Sequence, residues 1–307
     1  MRIDVAAQTD IGRRKRNNED FYGVFRDNLA DLNLFHEGAL LSVADGLGGH
    51  AGGEIASKLS VSFMRDMLKT SPPPPADDPE EDEEFLPVLR EWIKKANDSV
   101  FSTNQDVAHN GKPMGTTLLT ALVTPKKVYI ANVGDSRIYH LRDGDIIDKS
   151  EDHSWVDEQV KLGLMTKSEA ESDSRRNYVT RCIGTHAEVE VDSYVWHPAP
   201  GDMLLLCTDG LVNMVKDSDI AAQFKGRSGP AEIASNLIDM ANENGGKDNI
   251  TVIVATVSPS LYTMLRSRLL AFWRKRAIHF TWILFALLFG AACGALGYYL
   301  GSSGIPG

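Results

Sequence analysis

Four acidic loops, each set against a short apolar run, constrain this chain more than any other feature. They are Asn18-Glu19-Asp20, Asp45-Gly46-Leu47-Gly48-Gly49-His50, Thr208-Asp209-Gly210 and Lys247-Asp248-Asn249-Ile250. The run 40–44 precedes the second loop, 203–207 precedes the third and 250–257 follows the fourth, all with the composition of strands. Carboxylates at strand ends, from Glu19 to Asp248, point to one shared site. Packed together they repel one another and raise each other's pKa. A hard divalent cation removes that conflict, and oxygen ligands suit Mg²⁺ or Mn²⁺. The pattern implies a metal-dependent hydrolase.

Charge excludes another class. The net charge is −10, yet residues 259–307 hold five basic residues and no acid. Without them, 1–258 carries 27 basic and 42 acidic residues, a net of −15. A domain so acidic repels a nucleic-acid backbone, so no nucleic-acid partner and no two-metal nuclease is expected. Cys182, Cys207 and Cys293 have neither metal-ligand spacing nor a disulfide framework, which fits reduced thiols in a cytosolic compartment.

Strand and helix signals alternate in blocks through 1–258. A first strand is expected over 1–7. The segment 52–69 places Ile55, Leu59, Phe63 and Met67 on one helical stripe, directly after the glycine turn. Leu89, Trp92 or Ile93, Ala96 and Val100 mark a second helix. Between them, 71–84 has four successive prolines and seven acids and reads as an extended, solvated connection. Short strands follow over 117–124, 128–133, 137–141 and 145–148, with Arg142-Asp143-Gly144 as a hairpin turn. The stretch 153–178 is less regular and contains a capping box at Thr166 and Glu169. A strand near 189–195 and a helix over 230–244, opened by Pro230 and stopped by Gly245-Gly246, complete the reading. Strands joined by short loops predict an α+β sandwich of two antiparallel sheets flanked by helices, with the site at one end.

The C-terminal region carries a separate signal. Residues 280–300 are 21 residues without a charge, long enough to cross a hydrocarbon core. Arg266, Arg268, Arg274, Lys275 and Arg276 all precede this segment, and 301–307 has no charge. The positive-inside rule then puts the 1–258 domain in the cytoplasm, at the cell membrane, on a single transmembrane helix. The basic juxtamembrane segment, 259–279, is expected to meet inner-leaflet lipid. Gly290 and Gly294 have the spacing of a weak helix-dimer face.

The ordered series Asn18-Glu19-Asp20, Asp45-Gly46-x-Gly48-Gly49-His50, Gly115-Thr116-Thr117, Val133-Gly134-Asp135-Ser136-Arg137, Asp152-His153-Ser154, Val179-Thr180-Arg181-x-x-Gly184, Cys207-Thr208-Asp209-Gly210 and Asp248-Asn249-Ile250-Thr251 resembles the PP2C-type (PPM) serine/threonine phosphatases, bacterial branch. The resemblance implies hydrolysis of phosphoserine and phosphothreonine by a water bridging two Mn²⁺ or Mg²⁺ ions. It implies that Asp45 bridges both ions and that Gly46 offers its carbonyl. Asp209 and Asp248 complete one ion, and Glu19 serves the other. Asp20 and Asn249 stand behind these ligands, Asp135 shares a third ion with Asp209, and 153–178 is a flap beside the site. Phosphorylated proteins and a membrane serine/threonine kinase are the expected partners.

Two departures stand out. Lys15 occupies the position of the family's phosphate-binding arginine, with Arg14 and Arg16 as neighbouring candidates. Lysine supplies charge but not the bidentate fork. Leu47 stands where the animal enzymes have a histidine proposed as general acid, which leaves His50 as the nearby candidate. His153 is read as supporting a loop. The alternative to an active enzyme is a catalytically weak protein of this fold that docks partners.

Overall fold

The computed structural model describes residues 2–26, 38–48, 51–70, 85–107, 113–124, 127–226 and 228–258. The chain separates into two units, Met1–Ser258 and Pro259–Gly307, of which the second lies outside the described residues. So do the 71–84 connection, Gly49 and His50, Gly290, Gly294 and the apolar segment 280–300. Among the described residues no helix is long and apolar enough to cross a membrane.

Among the described residues there are twelve strands: β1 (Arg2–Asp10), β2 (Phe21–Phe25), β3 (Ala39–Ala44), β4 (Gly46–Leu47), β5 (Gly115–Thr116), β6 (Leu118–Val123), β7 (Val128–Val133), β8 (Arg137–Arg142), β9 (Asp145–Lys149), β10 (Asp192–Trp196), β11 (Met203–Cys207) and β12 (Ile250–Ser258). One sheet runs β1-β12-β11-β8-β9, a second runs β10-β7-β6-β3-β2, and β4-β5 form a small ladder. All pairings are antiparallel. Helices α1 (Ala51–Thr70) and α2 (Leu86–Val107) follow the second acidic loop. Later come α3 (Trp155–Lys161), α4 (Lys167–Ser172), α5 (Asp209–Val212), α6 (Asp217–Ala222) and α7 (Pro230–Glu243).

The central strands are buried on both faces, which is why they read as continuous apolar runs. Alternate residues Leu41, Val43, Leu119, Ile130, Leu204, Leu206 and Ile253 fill the space between the sheets. Their neighbours Leu40, Leu118, Leu122 and Val133 face α1 and α2 through Met64, Leu68, Leu89 and Trp92. On the other side, Tyr139, Leu205, Val252 and Val254 meet Leu211, Ile220, Ile233 and Leu237. The result is helix, sheet, sheet, helix. Each fully buried Leu or Ile contributes about 1.5–3 kcal/mol relative to exposure.

Local readings hold with identifiable exceptions. Asp143 and Gly144 both have positive φ, 51° and 82°, as a two-residue type I′ hairpin demands. The Thr166–Glu169 capping box opens α4. The stretch 153–178, expected to be irregular, contains α3 and α4. The strand expected near 189–195 is confined to Asp192–Trp196. In α1 the helix is right and Leu59, Phe63 and Met67 pack against the core, but Ile55 is 49% exposed, and Gly53, Ala56, Ser57, Ser60 and Met64 are the buried residues. Small residues let α1 approach the acidic loops closely, a contact that apolar periodicity does not report.

Candidate active site

Asp45 follows β3, and its backbone is held by the Thr116-Thr117 pair. The Asp45 N–H donates to Thr117 Oγ1 at 2.8 Å. Its carbonyl accepts from Thr116 Oγ1 at 2.8 Å and from the Thr117 N–H at 2.9 Å. Thr117 Oγ1 also lies 2.7 Å from Ser136 Oγ, beside Asp135, so one buried hydroxyl pair joins two acidic loops. In the sequence this role shows only as a polar pair at the start of an apolar strand.

Glu19 is fixed through its backbone from three directions. Its N–H donates to Asn249 Oδ1 at 2.8 Å, and its carbonyl accepts from Ser57 Oγ at 2.6 Å and from the Gly46 N–H at 3.2 Å. Asn249 Nδ2 in turn donates to the carbonyls of Ile11 and Asn17, at 3.0 and 2.9 Å. Gly46 and Gly53 pass backbone to backbone here. A Cβ on Gly53 would lie 2.8 Å from Glu19 Oε2 and 2.9 Å from the Gly46 carbonyl oxygen. Only glycine leaves that cradle open.

Asp20 joins the loops from beneath. Its Oδ2 accepts from Thr208 Oγ1 at 2.8 Å and from Thr251 Oγ1 at 2.7 Å, one residue before Asp209 and three after Asp248. Asp209 accepts from Asn213 Nδ2 at 3.0 Å through Oδ2, while its Oδ1 is buried without a hydrogen-bond partner, as is Asp20 Oδ1. Asp135 is held by the turn Val133-Gly134-Asp135-Ser136. Arg137, just beyond, grips Asp152 with two hydrogen bonds of 2.9 and 2.5 Å.

The electrostatics follow from this crowding. Burial first, then the charges of Asp20, Asp209, Asp135 and Asp248, push the Asp45 carboxyl well above its ordinary range. Burial and Asp209 do the same to Asp135. Asp209 is raised to about 6, by burial and then by Asp248, and Asp20 to about 7, mainly by burial. No group of three His, Cys, Asp or Glu side chains among the described residues is arranged to hold a metal ion. The donor set nevertheless fits one: hard oxygens, mutually repelling, with a buried acceptor on Asp209 that no protein donor satisfies.

Lys15 reaches this cluster. Its Nζ lies 2.5 Å from Asp248 Oδ1, both side chains being partly exposed. Burial opposes its charge, but Asp248, Asp45 and Glu19 outweigh that and raise its pKa. The backbone N–H groups of Arg13 and Arg14 donate to the Gly246 carbonyl, at 2.7 and 3.2 Å, which fixes the basic turn beside Asp248. Arg14 and Arg16 are exposed. Of the residues expected at the site, Glu19, Asp20, Asp45, Gly46, Asp135, Asp209, Asp248, Asn249 and Lys15 are brought together, whereas His50 lies outside the described residues.

Two stacked antiparallel sheets carry a buried carboxylate cluster at one end, a donor set of the class that takes hard divalent cations. Comparison narrows the class. The family described as Protein phosphatase 2C matches residues 14–248. The serine/threonine phosphatase Stp of Listeria welshimeri is 37% identical over 250 residues, covering 80% of this chain and 93% of that protein. The Streptococcus agalactiae serine/threonine phosphatase superposes with a TM-score of 0.72 at 32% identity, covering 83% of this chain and all of the other. The catalytic domain of the phosphatase PstP, in complex with two manganese ions, gives a TM-score of 0.66 at 32% identity over 83% of this chain and 98% of that domain.

The chain belongs to the protein phosphatase 2C family. It is a metal-dependent serine/threonine protein phosphatase, and phosphatases of this family use two Mn²⁺ or Mg²⁺ ions.

Proposed function

We propose that Asp45, Asp209, Asp248, Glu19 and the Gly46 carbonyl hold the two ions, and that Asp135 shares a third with Asp209. The observation that carries this is the convergence of these acids from loops more than 200 residues apart, with the Asp209 Oδ1 acceptor unsatisfied. When bound, the cations supply a nucleophilic water and neutralise phosphoryl charge. The chain's own residues do the rest. Asp20 and Asn249 keep the loops in register through Thr208, Thr251 and the Glu19 backbone. Lys15 stands at the rim as a point charge for the phosphate dianion, with Arg14 and Arg16 on the same turn. Cys182 and Cys207 are no substitute nucleophiles, because burial pushes both thiols up.

Residues 280–300 form a transmembrane anchor, 259–279 lies on anionic inner-leaflet lipid, and the catalytic unit faces the cytoplasm. Its substrates are then phosphorylated proteins at the membrane, opposite a serine/threonine kinase. The length and charge pattern of the segment support this reading.

The test is hydrolysis of a phosphothreonine peptide by the purified protein with Mn²⁺ or Mg²⁺. Activity that EDTA abolishes and Mn²⁺ restores is expected. Full turnover after exhaustive chelation would overturn the ligand assignment. A phosphoproteome comparison of cells carrying Asp45→Asn would name the substrates.

A further inference from the structure

His153 is buried at the root of the 153–180 segment, and the roles above leave it without a task. Its side chain and backbone clamp one residue, Gly134. The Gly134 N–H donates to His153 Nδ1 at 3.0 Å, and the His153 N–H donates to the Gly134 carbonyl at 3.0 Å. Gly134 has φ +112°, and a Cβ there would run into Thr117, so this turn admits no other residue and depends on its bonds for its shape. Asp135 is the next residue.

The other side of the imidazole meets the far end of the segment. A ring nitrogen that accepts from an N–H is unprotonated, so the neutral ring carries its proton on Nε2. Nε2 lies 3.2 Å from Asp192 Oδ2, while Arg181 holds the other Asp192 oxygen at 2.8 Å. Burial lowers the imidazole pKa against the pull of Asp192, which agrees with a neutral ring. The segment closes on itself at the same place, since the Thr180 N–H donates to the His153 carbonyl at 2.8 Å and the Trp155 N–H to the Tyr178 carbonyl at 2.8 Å.

We propose that His153 is a positioning residue that locks the Gly134-Asp135 turn to the root of the 153–180 segment, so that the aim of the Asp135 carboxylate and the closure of that segment are set by one imidazole. The proposal rests on the reading of Asp135 as a cation ligand for its functional consequence, and on geometry alone for the lock itself.

Two variants of the full chain separate the two nitrogens. In His153→Asn, the side-chain oxygen sits near the Nδ1 position and still accepts from Gly134. In His153→Gln, the amide reaches the Nε2 position and leaves the Gly134 N–H unpaired. Amide exchange measures the lock directly: Asn keeps protection at 134–136 near wild type but loses it over 154–180, where the Nε2–Asp192 link is gone, and Gln loses it at 134–136 by about tenfold or more while keeping it over 154–180. Mn²⁺ titration by calorimetry measures the consequence, with the weakest site lost or weakened about tenfold in Gln, the lower range for groups that orient a ligand, and retained in Asn. Equal exchange in both variants and the wild type would overturn the lock. Asp135→Ala serves as the control. If it leaves all Mn²⁺ sites intact while Gln still loses protection, the ligand reading fails and the lock stands.

Discussion

The Asp209 carboxylate has one oxygen tied to Asn213 and one buried with nothing to accept from. A buried acceptor left in that condition costs free energy unless a cation takes it up. Removing charge there or at Asp45 should therefore cost more than removing a supporting contact, whose loss costs about 10–100-fold. Asp45→Asn and Asp209→Asn are expected to lower kcat by more than about 100-fold, with Asp135→Ala milder at saturating Mn²⁺. Steady-state kinetics on a phosphothreonine peptide decides this, and three near-wild-type rates would refute the assignment. Lys15→Ala should raise KM about tenfold with little change in kcat, in keeping with one lost charge-assisted contact, and Lys15→Arg should retain activity. An unchanged KM would move the role to Arg14 or Arg16. The acids were legible in the sequence because each sits at the end of an apolar strand. The Lys15–Asp248 pair was not, since it joins residues whose approach is set by the whole sandwich. The same holds for Asp20, whose two threonine donors lie at Thr208 and Thr251.

Among the elements, α1 does the most for the site while hiding its reason. Its apolar stripe suggested Ile55 as an inward residue, yet the face that meets the acidic loops is Gly53, Ala56 and Ser57. Contacts made by small residues leave no hydrophobic period to read. They do leave a prediction. In Gly53→Ala the new methyl would lie 2.8 Å from both Glu19 Oε2 and the Gly46 carbonyl carbon, so either the helix or the Glu19 loop must shift. Weaker Mn²⁺ binding at unchanged helix content, read by calorimetry and circular dichroism, is expected; wild-type affinity would show that the cradle tolerates a side chain. The central strands were read well because their burial on both faces writes itself into composition, whereas the half-buried β2 and the two-residue β4 and β5 were not read. The short helices α3, α5 and α6 were missed, being only seven, four and six residues long.

For the molecule as a whole, the raised carboxyls make stability depend on pH and on cation together. In chelator, Asp209 and Asp20 keep protons up to about pH 6 and 7, and Asp45 and Asp135 are likewise raised by burial and neighbouring acids, whereas the unfolded chain releases them near pH 4. The native state then binds more protons, so this contribution is complete below about pH 4 and is lost as pH rises through the folded-state values. Calorimetry in EDTA should show Tm falling from about pH 5 to about pH 8, and Mn²⁺ should raise Tm more at the upper end. A flat Tm in chelator, matching that in Mn²⁺, would contradict the crowding. Removing 259–307 should release a soluble, active phosphatase, while the full chain sediments with membranes and its catalytic unit resists protease added outside sealed cells. Full-length protein in the soluble fraction would overturn the anchor. The pairing of β1 with β12, from Arg2 opposite Ser258 to Asp10 opposite Ile250, bears on how the enzyme comes into being. Contacts this distant in sequence are the last to be rewarded during folding. On the ribosome, a nascent chain that has released Glu19 and Asp45 but still holds back Asp248 has half a site and an open sheet edge. If Asp248 holds a cation as proposed, dephosphorylation is expected to begin only when translation has delivered the final strand, and shorter fragments made on the way are expected to be inactive on a phosphopeptide.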